Sequence, residues 1–345
     1  MEAIDHFSMF IQSENQIAEA RRHAESMLRE NNFNAEKMNK AALAITEIAS
    51  NLVKHTECGG TLSVNILEAD SNLGVEILAF DHGNGMSDVS KCLADGFSTT
   101  KTLGAGLGAI KRVTTNFAIY SAPKLGTLLL CELWHPSFLR QKNDDYLIGA
   151  VALPSLGQVV CGDAWSTSEK PQRTVMLLAD GLGHGDAAAI AARKAVAVFK
   201  ASTELKPVQI LQAIHEHLQD TRGAVVAIAC LDPVQKNIHY VSVGNITATL
   251  ITATSKNKLF THNGIVGLNM PTITESIYPL AERDYLIMHS DGLDSNWSLD
   301  QYPNLPCDNP TVIAGLLCRD FRKQSDDVTV IVAIPPAKDW NARCV

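Results

Sequence analysis

The sequence predicts a two-domain α/β protein. Its 345 residues are enough for two domains of ordinary size, each burying its own core. Helical and strand-like apolar periodicities alternate along both halves. Between them, His135-Pro136-Ser137 and the polar run Arg140 to Asp145 break the pattern, so the domains are expected at residues 1–138 and 144–338.

In the first half, Ile17, Ala20, Ala24, Met27 and Leu28 recur at helical spacing, which predicts a helix over 14–31 with Ser13 as its cap. A second helix is expected from Ala35 to about His55, with Met38, Ala42, Ile45, Ile48 and Leu52 on its apolar side. Glu47, Asn51 and His55 follow one another at intervals of four and so stack on the opposite face. Strands at 61–67 and 74–80 flank the polar turn Asp70-Ser71-Asn72. A short helix near 88–94, a Ser/Thr- and Gly-rich loop, a helix at 109–115 and strands at 117–121 and 127–134 complete the unit. This order implies a largely antiparallel sheet with helices on one face.

The second half is richer in strands, expected at 146–153, 158–165, 174–179, 224–231, 237–244, 247–253, 284–289 and 328–334, with helices at 185–203, 207–220 and 310–322. Two stacked sheets flanked by helices fit this pattern, among other layerings. The formal net charge of −8 argues against nucleic acid or an anionic membrane as the main partner, because binding phosphate backbones demands concentrated positive charge. The eight cysteines form no C-x-x-C pair and read as reduced thiols. Residues 1–5 lack the features of a signal peptide, and no apolar run approaches the roughly 18 residues that span a bilayer, so a cytoplasmic location is expected.

Several apolar runs in the second half end at an aspartate beside glycine. They are Val159-Val160-Cys161-Gly162-Asp163, Leu177-Leu178-Ala179-Asp180-Gly181-Leu182-Gly183-His184-Gly185, and Ile287-Met288-His289-Ser290-Asp291-Gly292. Asp326-Asp327 precedes a further apolar run. Carboxylates at separated strand ends, with no matching His/Cys set, suit Mg²⁺ or Mn²⁺ rather than zinc. With Thr221-Arg222-Gly223-Ala224 and Val243-Gly244-Asn245-Ile246, these segments resemble the SpoIIE/RsbX branch of the metal-dependent serine/threonine phosphatases over roughly residues 145–335. The resemblance implies an αββα sandwich in which Asp180 bridges two Mn²⁺ or Mg²⁺ ions. Asp163 and the Gly181 carbonyl bind one ion, and Asp291 with Asp326 completes the other. Such ions activate water for in-line attack, so no Cys or Ser nucleophile is required. Asp327 is expected to orient its neighbour, and Asp186 to cap the following helix. His215 and His217, two apart on a helix, cannot share a metal.

In the first half, Glu47 and Asn51 are followed by Asp81-x-Gly83-x-Gly85, by Gly104-x-Gly106-x-Gly108 ahead of a helix, and by Gly126-Thr127. A Gly-rich turn before a helix is by itself a weak phosphate-loop signal. The ordered set resembles the GHKL (Bergerat-type) ATP-binding α/β sandwich, and more narrowly the RsbT-like anti-sigma-factor kinases, over roughly residues 10–135. The resemblance implies ATP with Mg²⁺ as cofactor and Asn51 as a Mg²⁺ ligand. Asp81 receives the adenine amino group, Gly83, Gly85 and Thr127 line the nucleotide, and Gly104, Gly106, Leu107 and Gly108 offer N–H groups to its phosphates. Glu47 is the implied general base for a substrate hydroxyl.

Together the two resemblances imply a partner-switching regulator, a kinase and a phosphatase acting on opposite states of STAS-domain proteins in a sigma-factor or stress-signalling pathway. A sigma factor or another phosphatase regulator is a further implied partner. The alternative is a phosphatase whose first domain only senses nucleotide or binds an anti-sigma or STAS partner. Glu47 together with Asn51 favours the enzyme, because a pure nucleotide sensor has no need of the base.

Overall fold

The computed structural model describes residues 1–93, 106–135, 146–281, 283–306 and 308–335. The chain divides into two compact units, one formed by Ala3–Leu139 and the other by Arg140–Val345 with Met1–Glu2.

The first unit runs β1 (Glu2–Ile11), α1 (Glu14–Glu30), α2 (Ala35–His55), β2 (Gly60–Ala69), β3 (Asn72–Asp81), α3 (Val89–Leu93), α4 (Gly106–Val113), β4 (Asn116–Ser121) and β5 (Thr127–Leu133). Its strands lie in the order β1-β2-β3-β5-β4. Ser13 starts α1, with its N–H donated to the Gln16 side chain at 3.0 Å, and the Asn34 side chain accepts from Lys37 N at 2.9 Å to start α2. The apolar stripe of α2, including Ala41, Ile45, Ile48 and Leu52, packs onto Leu62, Val64, Ile77 and Cys131 of the sheet. Asp70 and Ser71 both take positive φ, as the two-residue turn joining β2 to β3 requires. The strand β1 was not anticipated. Phe7, Met9 and Ile11 alternate toward the core, a period-2 signal that the charged and polar residues between them obscure.

The second unit runs β6 (Leu147–Leu153), β7 (Asp163–Lys170), β8 (Arg173–Gly181), α5 (Asp186–Ser202), α6 (Pro207–His217), β9 (Ala224–Asp232), β10 (Asn237–Val243), β11 (Thr247–Ile251), β12 (Lys256–Lys258), β13 (Ser276–Pro279), β14 (Tyr285–His289), α7 (Pro310–Phe321) and β15 (Val328–Ile334). Here β13-β10-β9-β8-β7 and β12-β11-β14-β15-β6 form two sheets whose neighbouring strands pair antiparallel. Helices α5 and α6 pack on the first sheet and α7 on the second, and β7 meets β6 and β15 across the sandwich. The αββα layering is therefore the one adopted. Its core on the α5–α6 side joins Leu177, Phe199, Ile210, Val226 and Val243.

Three differences from expectation bear on the site. The apolar run at 158–162 is a loop rather than the start of a strand, and pairing begins at Asp163. The Ser155 and Gly162 N–H groups at either side of this loop donate to the Asp327 carboxylate at 2.7 and 2.8 Å, so it is held by a side chain instead of a ladder. The cap of α5 is Gly185 rather than Asp186, which occupies the first helical position, where its charge faces the positive end of the helix. The short strands β12 and β13 were also not anticipated; at three and four residues they are too brief for a readable alternation.

The backbones of the acidic loops approach closely. A Cβ on Gly292 would lie 2.0 Å from the Asp327 carbonyl oxygen. Gly292→Ala is accordingly expected to destabilise this unit by about 1–3 kcal/mol, the usual cost of overpacking. Its thermal midpoint should fall by several degrees in calorimetry of the parent and variant; an unchanged midpoint contradicts the close approach.

Candidate functional site

The acidic site is built at one end of the sandwich. Asp163 opens β7 and Asp180 is the last residue but one of β8, and the antiparallel register sets them directly opposite one another. Opposed residues of this kind have Cβ atoms only about 4.5–5.5 Å apart, and like charges there destabilise the pair. The Asp163 carboxylate is buried and accepts from the Ser290 hydroxyl at 2.7 Å. That hydroxyl oxygen in turn accepts from Thr329 N at 2.9 Å, which ties β7 to β15. Asp291 follows β14. Its Oδ2 accepts from Asn245 Nδ2 at 2.6 Å, and its carbonyl accepts from Lys323 Nζ at 2.7 Å. Asp326 Oδ1 accepts from the N–H of Asp327, whose own carboxylate is occupied by Ser155 and Gly162.

The electrostatics show that these carboxylates are neighbours. Burial pushes the Asp180 carboxyl well above the usual carboxylate range, and Asp163, Asp291, Asp326 and Asp327 push it further. Asp163 is raised by burial and by Asp327 and Asp326, partly offset by the Ser290 hydroxyl. Asp291 is raised by burial and then by Asp326. No described basic side chain pairs with Asp180 or Asp163 in compensation. A concentration of hard anionic oxygens with this much mutual repulsion fits one or more divalent cations in chemistry. Among the described residues, no three His, Cys, Asp or Glu side chains stand ready as a finished cage. Gly181 has a steric reason of its own, because a Cβ there would meet the Ala188 carbonyl oxygen of α5 at 2.0 Å. His215 Nδ1 accepts from Gly267 N, whereas His217 Nδ1 faces the Ala213 carbonyl of its own helix, so the two histidines point to different partners.

The second candidate site lies along the later turns of α2. A Cβ on Gly106, at the start of α4, would be 3.4 Å from Glu47 Oε2 and 3.9 Å from the carboxamide atoms of Asn51. The first turn of α4, with Gly106, Leu107 and Gly108, therefore opens beside the carboxylate and carboxamide of α2. The N–H groups of a helix's first turn have no partner within the helix and suit an anion. Asp81 ends β3, and its Oδ1 accepts from Gly83 N at 2.7 Å and Thr127 N at 3.3 Å, while Thr127 Oγ1 and Ser121 Oγ lie 2.9 Å apart. The His55 carbonyl, one turn beyond Asn51, is 3.4 Å from a Cβ placed on Gly83. Gly85 instead serves packing: with φ +66°, its Cβ would be 2.0 Å from the Ala122 carbonyl oxygen. Gly104 lies outside the described residues.

Residues 170–334 match the family described as stage II sporulation protein E (SpoIIE), and residues 10–131 match the histidine kinase-like ATPase domain. Over 124 residues the chain is 31% identical to the serine/threonine-protein kinase RsbT of Bacillus subtilis (strain 168), covering 36% of this chain and 92% of RsbT. The first unit belongs to the RsbT family, and the second is a SpoIIE-type protein phosphatase domain. A solved chain from the bacterial stressosome, a modular system adapted to control secondary messenger signalling, is 29% identical. It covers 55% of this chain and 98% of its own length with a TM-score of 0.52. RsbX, crystallised with magnesium, is 18% identical over 56% of this chain and 97% of its own, with a TM-score of 0.49. The protein is therefore an enzyme with a serine/threonine phosphatase domain joined to an RsbT-like, kinase-related ATPase domain. No described helix is long and apolar enough to cross a membrane.

Sequence reasoning quoted Ser290 and Asn245 within motifs without giving them a role. The signal was available, since Ser290 sits beside Asp291 and Asn245 beside Gly244 where an apolar run ends, but only the fold shows which carboxylate each one holds.

The raised Asp180 and Asp163 carboxyls fix the sign of a pH effect. In the metal-free protein the folded state binds protons that the unfolded state has already lost above an ordinary carboxylate pKa of about 3.9. Stability therefore falls as pH rises from about 5 to about 8. Asp180→Asn is expected to flatten this fall and to raise the metal-free thermal midpoint at pH 8 by a few degrees, while removing the stabilisation given by added Mn²⁺. A metal-free parent whose midpoint does not decline over this range, with Asp180→Asn no more stable, contradicts the repulsion.

Proposed function

We propose that the protein is a bifunctional partner-switching regulator, a kinase and a phosphatase acting in opposition on serine or threonine residues of STAS-domain proteins. The kinase reading rests chiefly on one observation, the placement of the Glu47 carboxylate beside Asn51 and the start of α4. The 31% identity to RsbT supports it, and the RsbT-like unit is the part that would use ATP.

In this reading Glu47 takes the proton of the substrate hydroxyl as that oxygen forms its bond to the γ-phosphorus of ATP and ADP leaves. Asp81, held by Gly83 and Thr127, receives the adenine amino group, and Gly106, Leu107 and Gly108 present N–H groups to the phosphates. Asn51 would hold Mg²⁺, which neutralises charge on the transferred group.

For dephosphorylation, Asp163, Asp180, the Gly181 carbonyl, Asp291 and Asp326 would hold Mn²⁺ or Mg²⁺. Bound there, such ions screen the phosphoryl charge and make water a stronger nucleophile near neutral pH. The chain's own part is to hold the ligands still. Ser290 fixes Asp163, Asn245 fixes Asp291, and Asp327 clamps the loop between β6 and β7.

The test uses the full chain with ATP, Mg²⁺ and a purified STAS-domain protein. The parent should transfer phosphate from ATP to that protein, and Glu47→Ala should lower the rate by about 10²–10⁴-fold while nucleotide binding persists. An ATP-binding parent that phosphorylates no STAS partner would leave the first unit as a sensing or docking module. In a separate assay, Asp291→Ala should abolish Mn²⁺-dependent release of phosphate from the phosphorylated partner. Undiminished release would remove Asp291 from the metal site.

A further inference from the structure

The acidic site as described lacks a group to hold the substrate's phosphoryl oxygens. Lys323 is engaged with the Asp291 carbonyl. The β8–β9 ladder supplies a different basic side chain. Its last paired residues are Gly181 and Ala224, and beyond them Leu182 N–H donates to the Gly223 carbonyl at 3.1 Å. The next residues outward are Gly183 and Arg222, and a Cβ on Gly183 would lie 3.3 Å from Arg222 Nη1. The guanidinium thus rests over the bare backbone of the loop that leaves Asp180, three residues past that carboxylate.

The backbone holding Arg222 is tied down. Thr221 Oγ1 donates to the Leu218 carbonyl at 2.7 Å and accepts from Gly223 N at 3.0 Å. Gly223 and Gly183 take φ of +78° and +90°, in the left-handed region that favours glycine. The side chain itself is exposed, and it has no hydrogen-bond or ion-pair partner among the described residues. An arginine fork placed beside a cation site and not already paired has the geometry for two parallel hydrogen bonds to a phosphate dianion.

We propose that Arg222 anchors the phosphoryl group of the substrate, donating from its guanidinium to the non-bridging phosphate oxygens while the carboxylate-held ions face the same group from the other side. The inference rests on the phosphatase activity of this unit and adds the residue that orients the phosphate within it. Arg222 touches the phosphate and not the protein carrying it. Its effect is therefore the same on a small phosphomonoester as on a phosphoprotein.

The test uses the full chain loaded with Mn²⁺, as parent, Arg222→Ala and Arg222→Lys. Calorimetry measures Mn²⁺ binding and then inorganic phosphate binding, and turnover of p-nitrophenyl phosphate gives kcat and KM. For Arg222→Ala, the Kd for phosphate and the KM should each rise about tenfold, the loss expected for one bidentate charged contact, with the Kd for Mn²⁺ unchanged. Arg222→Lys, which keeps the charge but not the fork, should fall between the two. If the phosphate Kd of Arg222→Ala stays within about twofold of the parent while its Mn²⁺ binding is intact, the assignment is overturned. Should the alanine variant fail to fold, the same comparison with Arg222→Lys decides it, a parent-like phosphate Kd and KM counting against the anchor. A parent that binds Mn²⁺ and phosphate but turns over no phosphomonoester contradicts the phosphatase activity, and the phosphate Kd still decides the role of Arg222.

Discussion

The second unit is organised around a repulsion. Asp163 and Asp180 face each other across an antiparallel ladder, and Asp291 and Asp326 add their charge from loops of the other sheet. A sheet gains nothing from like charges at directly opposed positions. The surrounding structure holds them there all the same: Ser290 bonds Asp163, Asn245 bonds Asp291, and the buried Asp327 carboxylate fastens both sides of the loop between β6 and β7. Local stability is given up where these charges are gathered, an arrangement whose chemistry fits a divalent cation. The bare backbones of Gly181 and Gly292 let α5 and the segment at Asp327 approach closely beside these carboxylates.

The first unit solves a different problem with one helix. The apolar stripe of α2 is spent on the sheet, and its polar row carries Glu47 and Asn51 out toward the start of α4. Because these residues sit four apart, a single helical face fixes the spacing of the carboxylate and the carboxamide without help from a flexible loop. Asp81 is held by two backbone N–H groups, which fix the orientation of its carboxylate. Transfer of phosphate onto a hydroxyl and its removal by water both depend mainly on positioning and charge neutralisation.

Much of this was legible in the sequence where the residues carry strong local signals. The apolar stripes of α1 and α2 and the Asp-Gly endings of β8 and β14 are examples. The start of β7 was not, because Val159 and Val160 read as strand residues while the chain there is a loop held by a carboxylate far away in sequence. The short edge strands β12 and β13 depend on their partners rather than on their own composition. Roles that require two distant segments to meet were equally hidden. Asn245 meets Asp291 only in the folded chain, and Arg222 reaches Gly183 only through the β8–β9 register.

The convergence of the carboxylates on cations is open to direct observation. Crystals of the full chain grown with Mn²⁺ and measured at the manganese absorption edge should show anomalous density bounded by Asp163, Asp180, Asp291 and Asp326, with Asp180 touching more than one ion if two are bound. Well-ordered carboxylates with no anomalous density among them, at Mn²⁺ concentrations that support phosphatase turnover, would contradict the account.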